Sequence, residues 1–151
     1  MVGYFNALDK QDYDAMRGYL YPTDNDAYLL DILLKSKTVG TTSVRLQKIY
    51  PALVNGDLAV VGFESSTNAT FNGKDSTIRE VNMFFFRKKD GEWYIAKPED
   101  LSNVPEQRIS GMIDRYTGVM KENITAESMD AQIEYNRASF RNLKNGGEQH
   151  E

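Results

Sequence analysis

Cysteine is absent from the 151 residues, and disulfides, thiolate nucleophiles, iron–sulfur clusters and thiolate zinc sites are excluded with it. Histidine is almost absent. Its single copy, His150, lies in the polar run 146–151 at the C-terminus, so neither a Ser-His-Asp triad nor a multi-histidine metal site can be assembled within one chain. No stretch approaches the roughly 18 consecutive apolar residues of a membrane span, and no charged, apolar, then small-residue pattern marks a signal peptide. Positive charge is not in excess either. With 18 basic and 22 acidic residues the net charge is −4, which gives no general attraction for phosphate backbones or anionic lipid. A glycine-rich phosphate loop, a nucleophile elbow and a metal-binding triplet are all missing. The sequence therefore implies no cofactor, no metal, no nucleic-acid partner and no direct membrane insertion.

What is present suits one domain of ordinary size. Hydrophobic residues make up 40% and aromatic residues 11%, enough to build a core. The chain opens abruptly: Met1-Val2 runs into Gly3-Tyr4-Phe5-Asn6-Ala7-Leu8, an amphipathic pattern without a polar lead-in. One reading is a removed export signal or anchor, hence an extracytoplasmic bacterial domain; the other is a native, cytoplasmic start with a frayed first turn.

Residues 2–20 read as two helical pieces, with Tyr4, Phe5 and Leu8 on one face and Tyr13, Met16 and Leu20 repeating that spacing after Asp9-Lys10-Gln11-Asp12. Asp12 is a cap candidate, and Pro22 stops the helix by pushing its predecessor out of the α region. Asp24-Asn25-Asp26 offers caps for a third helix ending near Gly40. From Thr41 the period changes to two. Strands are expected over 43–50 and 58–67 around Asn55-Gly56-Asp57, then 69–71 and 77–86 around Asn72-Gly73, then 93–96 after Asp90-Gly91, an antiparallel meander. Val81 to Phe86 is apolar on both faces apart from Asn82, so both faces of the sheet should be covered. One cover is the N-terminal helices. For the other, the candidates are two C-terminal helices, carrying Ile109, Met112, Ile113, Tyr116 and Met120, then Met129, Ile133, Phe140 and Leu143, or a second copy in a homodimer.

The expected fold class is α+β, with N-terminal helices on a curved antiparallel sheet followed by two C-terminal helices. Residues 1–98 form the α+β cone, 99–145 a helical extension of the same domain, and 146–151 a disordered tail. Tyr4 to Met16, Asn55 to Val61 and Phe84 to Ile95 each resemble a motif of the nuclear-transport-factor-2-like (NTF2-like, cystatin-like) superfamily, in that family's order and over about residues 2–98. The resemblance implies a cone enclosing a pocket, which relatives use for isomerase, dehydratase and cyclase chemistry or for binding. It also implies Asp–His catalysis in some relatives, which this chain cannot reproduce because His150 lies outside the matched region.

Glu64, Glu80 and Asn82 interrupt β-rich runs, and Glu80 and Asn82 share a face by strand alternation while Arg79 takes the other. With Tyr94 they are the candidate ligand-binding residues, Glu64 being placed as a general base from a neighbouring strand. The structural alternative is a cross-strand Arg–Glu pair and a solvent-facing amide. Trp93 is expected in the core, and Arg87-Lys88-Lys89 at a solvated hairpin end. The favoured function is a non-catalytic domain binding a protein partner or a small apolar ligand. The alternative is a cofactor-independent lyase or isomerase of the ketosteroid-isomerase-like type, with a carboxylate and a tyrosine in an apolar pocket.

Overall fold

A computed structural model describes residues 1–123. The second C-terminal helix expected over Thr125 to Leu143 and the tail 146–151 lie outside the described residues. Helices α1 (Val2–Asp9), α2 (Tyr13–Arg17) and α3 (Asp26–Val39) come first. Asp12 caps α2, its carboxylate accepting the Ala15 N–H at 3.1 Å. Gly40 closes α3 in the left-handed region (φ 74°) that glycine enters without a Cβ penalty. Strands β1 (Thr41–Ile49), β2 (Leu53–Asn55), β3 (Leu58–Phe71), β4 (Lys74–Lys89) and β5 (Glu92–Ala96) follow, then a 3₁₀ turn (Pro98–Leu101) and α4 (Glu106–Asn123).

The strands form one open, curved antiparallel sheet in the order β1-β3-β4-β5, with β2 also pairing with β3. Two differences from expectation stand out. Asn55-Gly56-Asp57 does not turn β1 into β3; it closes a short β2–β3 hairpin, Asn55 facing Leu58. Asn68 does not break the next strand, and β3 continues for 14 residues, the Asn68 amide bridging its neighbours by donating to the Ser43 hydroxyl at 2.9 Å and accepting the Thr77 hydroxyl at 2.8 Å. The Asn72-Gly73 and Asp90-Gly91 turns behave as expected, all four residues having positive φ.

Both sheet faces are covered, as the apolar run in β4 requires. On one face α1, α2 and α3, with Leu20 from the segment after α2, bury Tyr4, Phe5, Met16, Leu20 and Leu29 against Phe63, Phe84, Phe86 and Ile95. On the other, α4 lays Met112, Tyr116 and Met120 over Leu58, Val60, Met83 and Phe85. The described part of this chain thus supplies its own second cover. Tyr116, fully buried, fixes α4: its hydroxyl accepts the Gly62 N–H at 2.5 Å and donates to the Pro51 carbonyl at 2.7 Å. Gly62 lets the helix approach this closely, since a Cβ there would meet the Met120 sulfur and the Tyr116 ring.

The edges of the sheet are handled differently from one another. Asp9 of α1 accepts the Val44 N–H of β1 at 2.8 Å. On the other side, Tyr19–Tyr21 runs parallel beside β5: Ile95 donates to the Tyr19 carbonyl and accepts from Tyr21. Trp93 is not core. At 39% exposure it stands opposite Lys88 at the hairpin end, with the ammonium 5.8 Å from its ring centroid.

Candidate functional site

The candidate residues do not converge. Glu64 faces Val81 across the β3–β4 ladder, whereas Glu80 faces Ser65 and Asn82 faces Phe63. Directly opposed residues share a face and neighbours alternate, so Glu64 is on the α4 side and Glu80 and Asn82 are on the other. Glu80 and Asn82 are exposed, and the Asn82 amide oxygen is spent on the Met83 N–H at 2.9 Å. Arg79 faces Ser66, so the anticipated cross-strand Arg–Glu pair is not formed either. Tyr94 faces Arg87, six positions along β4 from the partner of Glu64, which separates the two by about 20 Å at about 3.3 Å per residue. Its ring meets Tyr21 edge-on at 6.4 Å. The tyrosine that does sense Glu64 is Tyr50, buried beneath α4, whose phenol is pushed above its ordinary value by burial, then by the Glu64 charge and by Tyr116.

The concavity lies elsewhere. β5 pairs with β4 only from Phe85 to Lys89; after Ala96 the chain leaves the sheet at Lys97-Pro98. Where β5 stops, a cleft of about 510 Å³ opens between Tyr28 of α3, Met83-Phe84-Phe85 of β4, and Leu101, Val104 and Ile109 leading into α4. Three consecutive β4 residues line it, so it wraps round the edge of the strand and touches both cores. Its volume falls within the range of roughly 300–1,000 Å³ typical of small-molecule sites, and its wall is mainly apolar.

Behind the cleft sits a buried polar cluster that the sequence did not announce. Lys97 is 3% exposed and Asp100 6%. The Lys97 ammonium lies 3.1 Å from the Asp100 carboxylate and 3.1 Å from the Thr23 hydroxyl, and it also donates to the Asn25 amide oxygen. Asp100 in turn accepts the Lys97 backbone N–H at 2.9 Å and the Thr23 hydroxyl at 2.7 Å. Burial alone would raise the Asp100 carboxyl, but those hydrogen bonds and the adjacent ammonium outweigh it and hold the group below the usual carboxylate range. All three ammonium hydrogens are used. Asn25 sits at the cap position of α3 without a side-chain cap bond; its amide instead donates to the Tyr21 carbonyl at 3.2 Å. The Lys97 ammonium is 6.0 Å from the Tyr28 ring centroid, and the Tyr28 hydroxyl pairs with that of Tyr4 at 3.3 Å.

The buried acid is ionised and saturated, and the buried amine is tied up, so neither is poised as a base or nucleophile. Among the described residues, no group of three or more His, Asp or Glu side chains is placed to hold a metal ion. No described helix is long and apolar enough to cross a membrane.

No family model matches the sequence, and no curated protein matches it. Solved structures do resemble it. An NTF2-like protein with a cystatin-like fold from Novosphingobium aromaticivorans shares 16% identity over 71% of this chain and 80% of its own, with a TM-score of 0.47. A protein of unknown function from Mycobacterium tuberculosis shares 14% over 80% and 83%, with a TM-score of 0.49. An NTF2-like protein of unknown function from Shewanella oneidensis shares 14% over 63% and 91%, with a TM-score of 0.45. Helices on one face of an open curved sheet and a helix on the other make the fold α+β, the class expected from the sequence, and the chain is similar in fold to these NTF2-like structures. The likeness concerns the fold alone, and function rests on the site.

Proposed function

We propose that this chain is a non-catalytic binding domain whose cleft beyond the end of β5 receives the apolar part of a small ligand. One observation carries the reading: a mainly apolar space of about 510 Å³ is lined by Lys97, whose buried ammonium is already paired with Asp100. The Lys97 ammonium has no hydrogen to spare, the Tyr28 hydroxyl pairs with Tyr4, and the remaining polar side chains of the lining, Ser102 and Glu106, are exposed. The isomerase-like alternative needs a carboxylic acid raised by an apolar pocket. Among the described residues the buried carboxyl, Asp100, is held below the usual carboxylate range instead, the carboxylate lining the cleft, Glu106, is exposed, and Glu64 lies on the α4 side of the sheet, outside the cleft lining.

The test is a titration with N-phenyl-1-naphthylamine, whose emission rises and shifts to the blue in apolar surroundings. The wild-type chain should show saturable, single-site binding. Val104→Trp, which fills the cleft from its half-buried rim, should weaken it by at least about tenfold, or about 1.4 kcal/mol, at an unchanged melting temperature. Equal binding by the variant, or no saturable binding by the wild type, would refute the reading.

A further inference from the structure

β4 runs far beyond the stretch that β5 covers. Between Lys74 and Glu80 it pairs with β3 on one side, while no described strand pairs with the other side. The direction of its peptide groups follows from three hydrogen bonds. Ile95 directs both its N–H and its carbonyl at Tyr19–Tyr21, so Tyr94 and Ala96 direct theirs at β4, where they face Arg87 and Phe85. Lys88 donates instead toward the β3 side, to the Asp57 carbonyl. Odd-numbered residues of β4 therefore point away from β3, and Asp75, Thr77 and Arg79 present their N–H and carbonyl groups along the open edge.

The side chains of the same stretch, Lys74-Asp75-Ser76-Thr77-Ile78-Arg79-Glu80, carry charges in the order plus, minus, plus, minus. Read against its own reversed copy about Thr77, every charge meets its opposite: Lys74 faces Glu80, and Asp75 faces Arg79, each twice by symmetry. The odd residues then oppose one another as hydrogen-bonded pairs, which the outward direction of their peptides demands. Lys74–Glu80 falls on one sheet face and Asp75–Arg79 on the other, so both faces are matched. Lys74, Arg79 and Glu80 are exposed and form no ion pair with any described residue; Asp75 takes only the Thr70 hydroxyl, at 2.6 Å.

The geometry points to a second copy of this chain as the occupant of the edge, in an antiparallel β4–β4 pairing centred on Thr77 that joins two sheets into one. Edge strands are commonly guarded against pairing by proline, bulges or charged side chains, lysine above all. This strand carries alternating charges that attract in one register, and a two-fold axis makes the contact closed and isologous. The contact lies on the same open edge of β4, three residues from Met83 of the cleft, but its register is set by the strand's own charges and not by what the cleft binds.

Sedimentation velocity across a concentration series tests it with two single variants. Lys74→Glu places Glu against Glu80 of the other copy, and Glu80→Lys places Lys against Lys74. Opposite and like charges directly across a strand pair differ enough that each variant alone should dissociate at least about tenfold more readily than wild type. Mixed in equal amounts, the two variants become complementary at both symmetric positions and should recover wild-type association. Both sites are exposed, and circular dichroism checks that the variants fold. Association of the wild type that weakens in each variant and returns on mixing supports the register. A wild type that stays monomeric at its solubility limit, dimers indifferent to both variants, or loss without recovery on mixing would each overturn it.

Discussion

Replacing Asp100 by Asn keeps the shape of the buried cluster and removes half of its charge. Asp100 is 6% exposed and holds the Lys97 backbone N–H, the Thr23 hydroxyl and the Lys97 ammonium at 2.9, 2.7 and 3.1 Å. The variant leaves an ammonium that is 3% exposed with only neutral partners, Thr23 and Asn25. Breaking a buried pair from one side costs about 3–5 kcal/mol. A chain of this length loses roughly 3 °C of melting temperature per kcal/mol, so Asp100→Asn should melt about 10–15 °C lower near neutral pH. The pH dependence adds a second signature. Because the folded carboxyl titrates below its unfolded value of about 3.9, its contribution is complete above that pH and is lost as pH falls toward the folded value. Wild-type stability should therefore decline on acidification below about pH 4–5, and the variant should lack that part of the decline. Lys97→Met combined with Asp100→Leu should recover most of the loss, since well-packed apolar replacements of a buried pair are often neutral or better. Differential scanning calorimetry between pH 3 and 8 measures all three. If Asp100→Asn melts within about 2 °C of wild type at neutral pH, below the shift expected for even 1 kcal/mol, the cluster contributes nothing and the reasoning fails.

Two further outcomes concern the α4 side of the sheet. Tyr116→Phe strands the Gly62 N–H and the Pro51 carbonyl and should cost about 2–3 kcal/mol, read by urea unfolding. Burial raises the Tyr116 phenol, so its contribution is complete below the ordinary tyrosine value of about 10 and fades as pH rises through the higher folded value; the variant should lose this alkaline decline. Gly62→Ala drives a methyl into the Met120 sulfur and the Tyr116 ring and should cost about 1–3 kcal/mol. Gly62→Ala with Met120→Ala should be less destabilised than the sum of the two single changes, a double-mutant cycle that an uncrowded site would not show.

Much of the sheet was legible because its punctuation is local. Asn72-Gly73 and Asp90-Gly91 name their own turn type, and the apolar run from Val81 to Phe86 announces two covered faces before any cover is identified. The register was legible too. A two-residue turn at Asn72-Gly73 places Phe71 opposite Lys74, and counting back from there sets Glu64 opposite Val81 and Glu80 opposite Ser65. That count separates the proposed general base from its supposed partners. Trp93 was misplaced because its size suggests burial, whereas its position beside the Asp90-Gly91 turn sets it past the reach of the helices. The Lys97 cluster left no sequence signal: Thr23-Asp24-Asn25 has the composition of a cap and Lys97-Pro98 that of a connector. Only the fold brings together residues more than seventy positions apart.

The parallel pairing of Tyr19–Tyr21 with β5 also bears on the order in which this chain can become native during synthesis. The first forty residues leave the ribosome carrying Tyr4, Phe5, Met16, Leu20 and Leu29, whose final contacts lie on strands not yet made. The β3–β4 hairpin, closed by a two-residue turn, can form from neighbours alone. Asp9 can hold α1 to Val44 once β1 exists, but the Tyr19–Tyr21 segment has no partner until Ile95 has been added and can offer its peptide group. At about 5–20 residues per second, the N-terminal apolar surface waits several seconds for its sheet. During translation that surface is open to chaperones and to misassembly with neighbouring nascent chains.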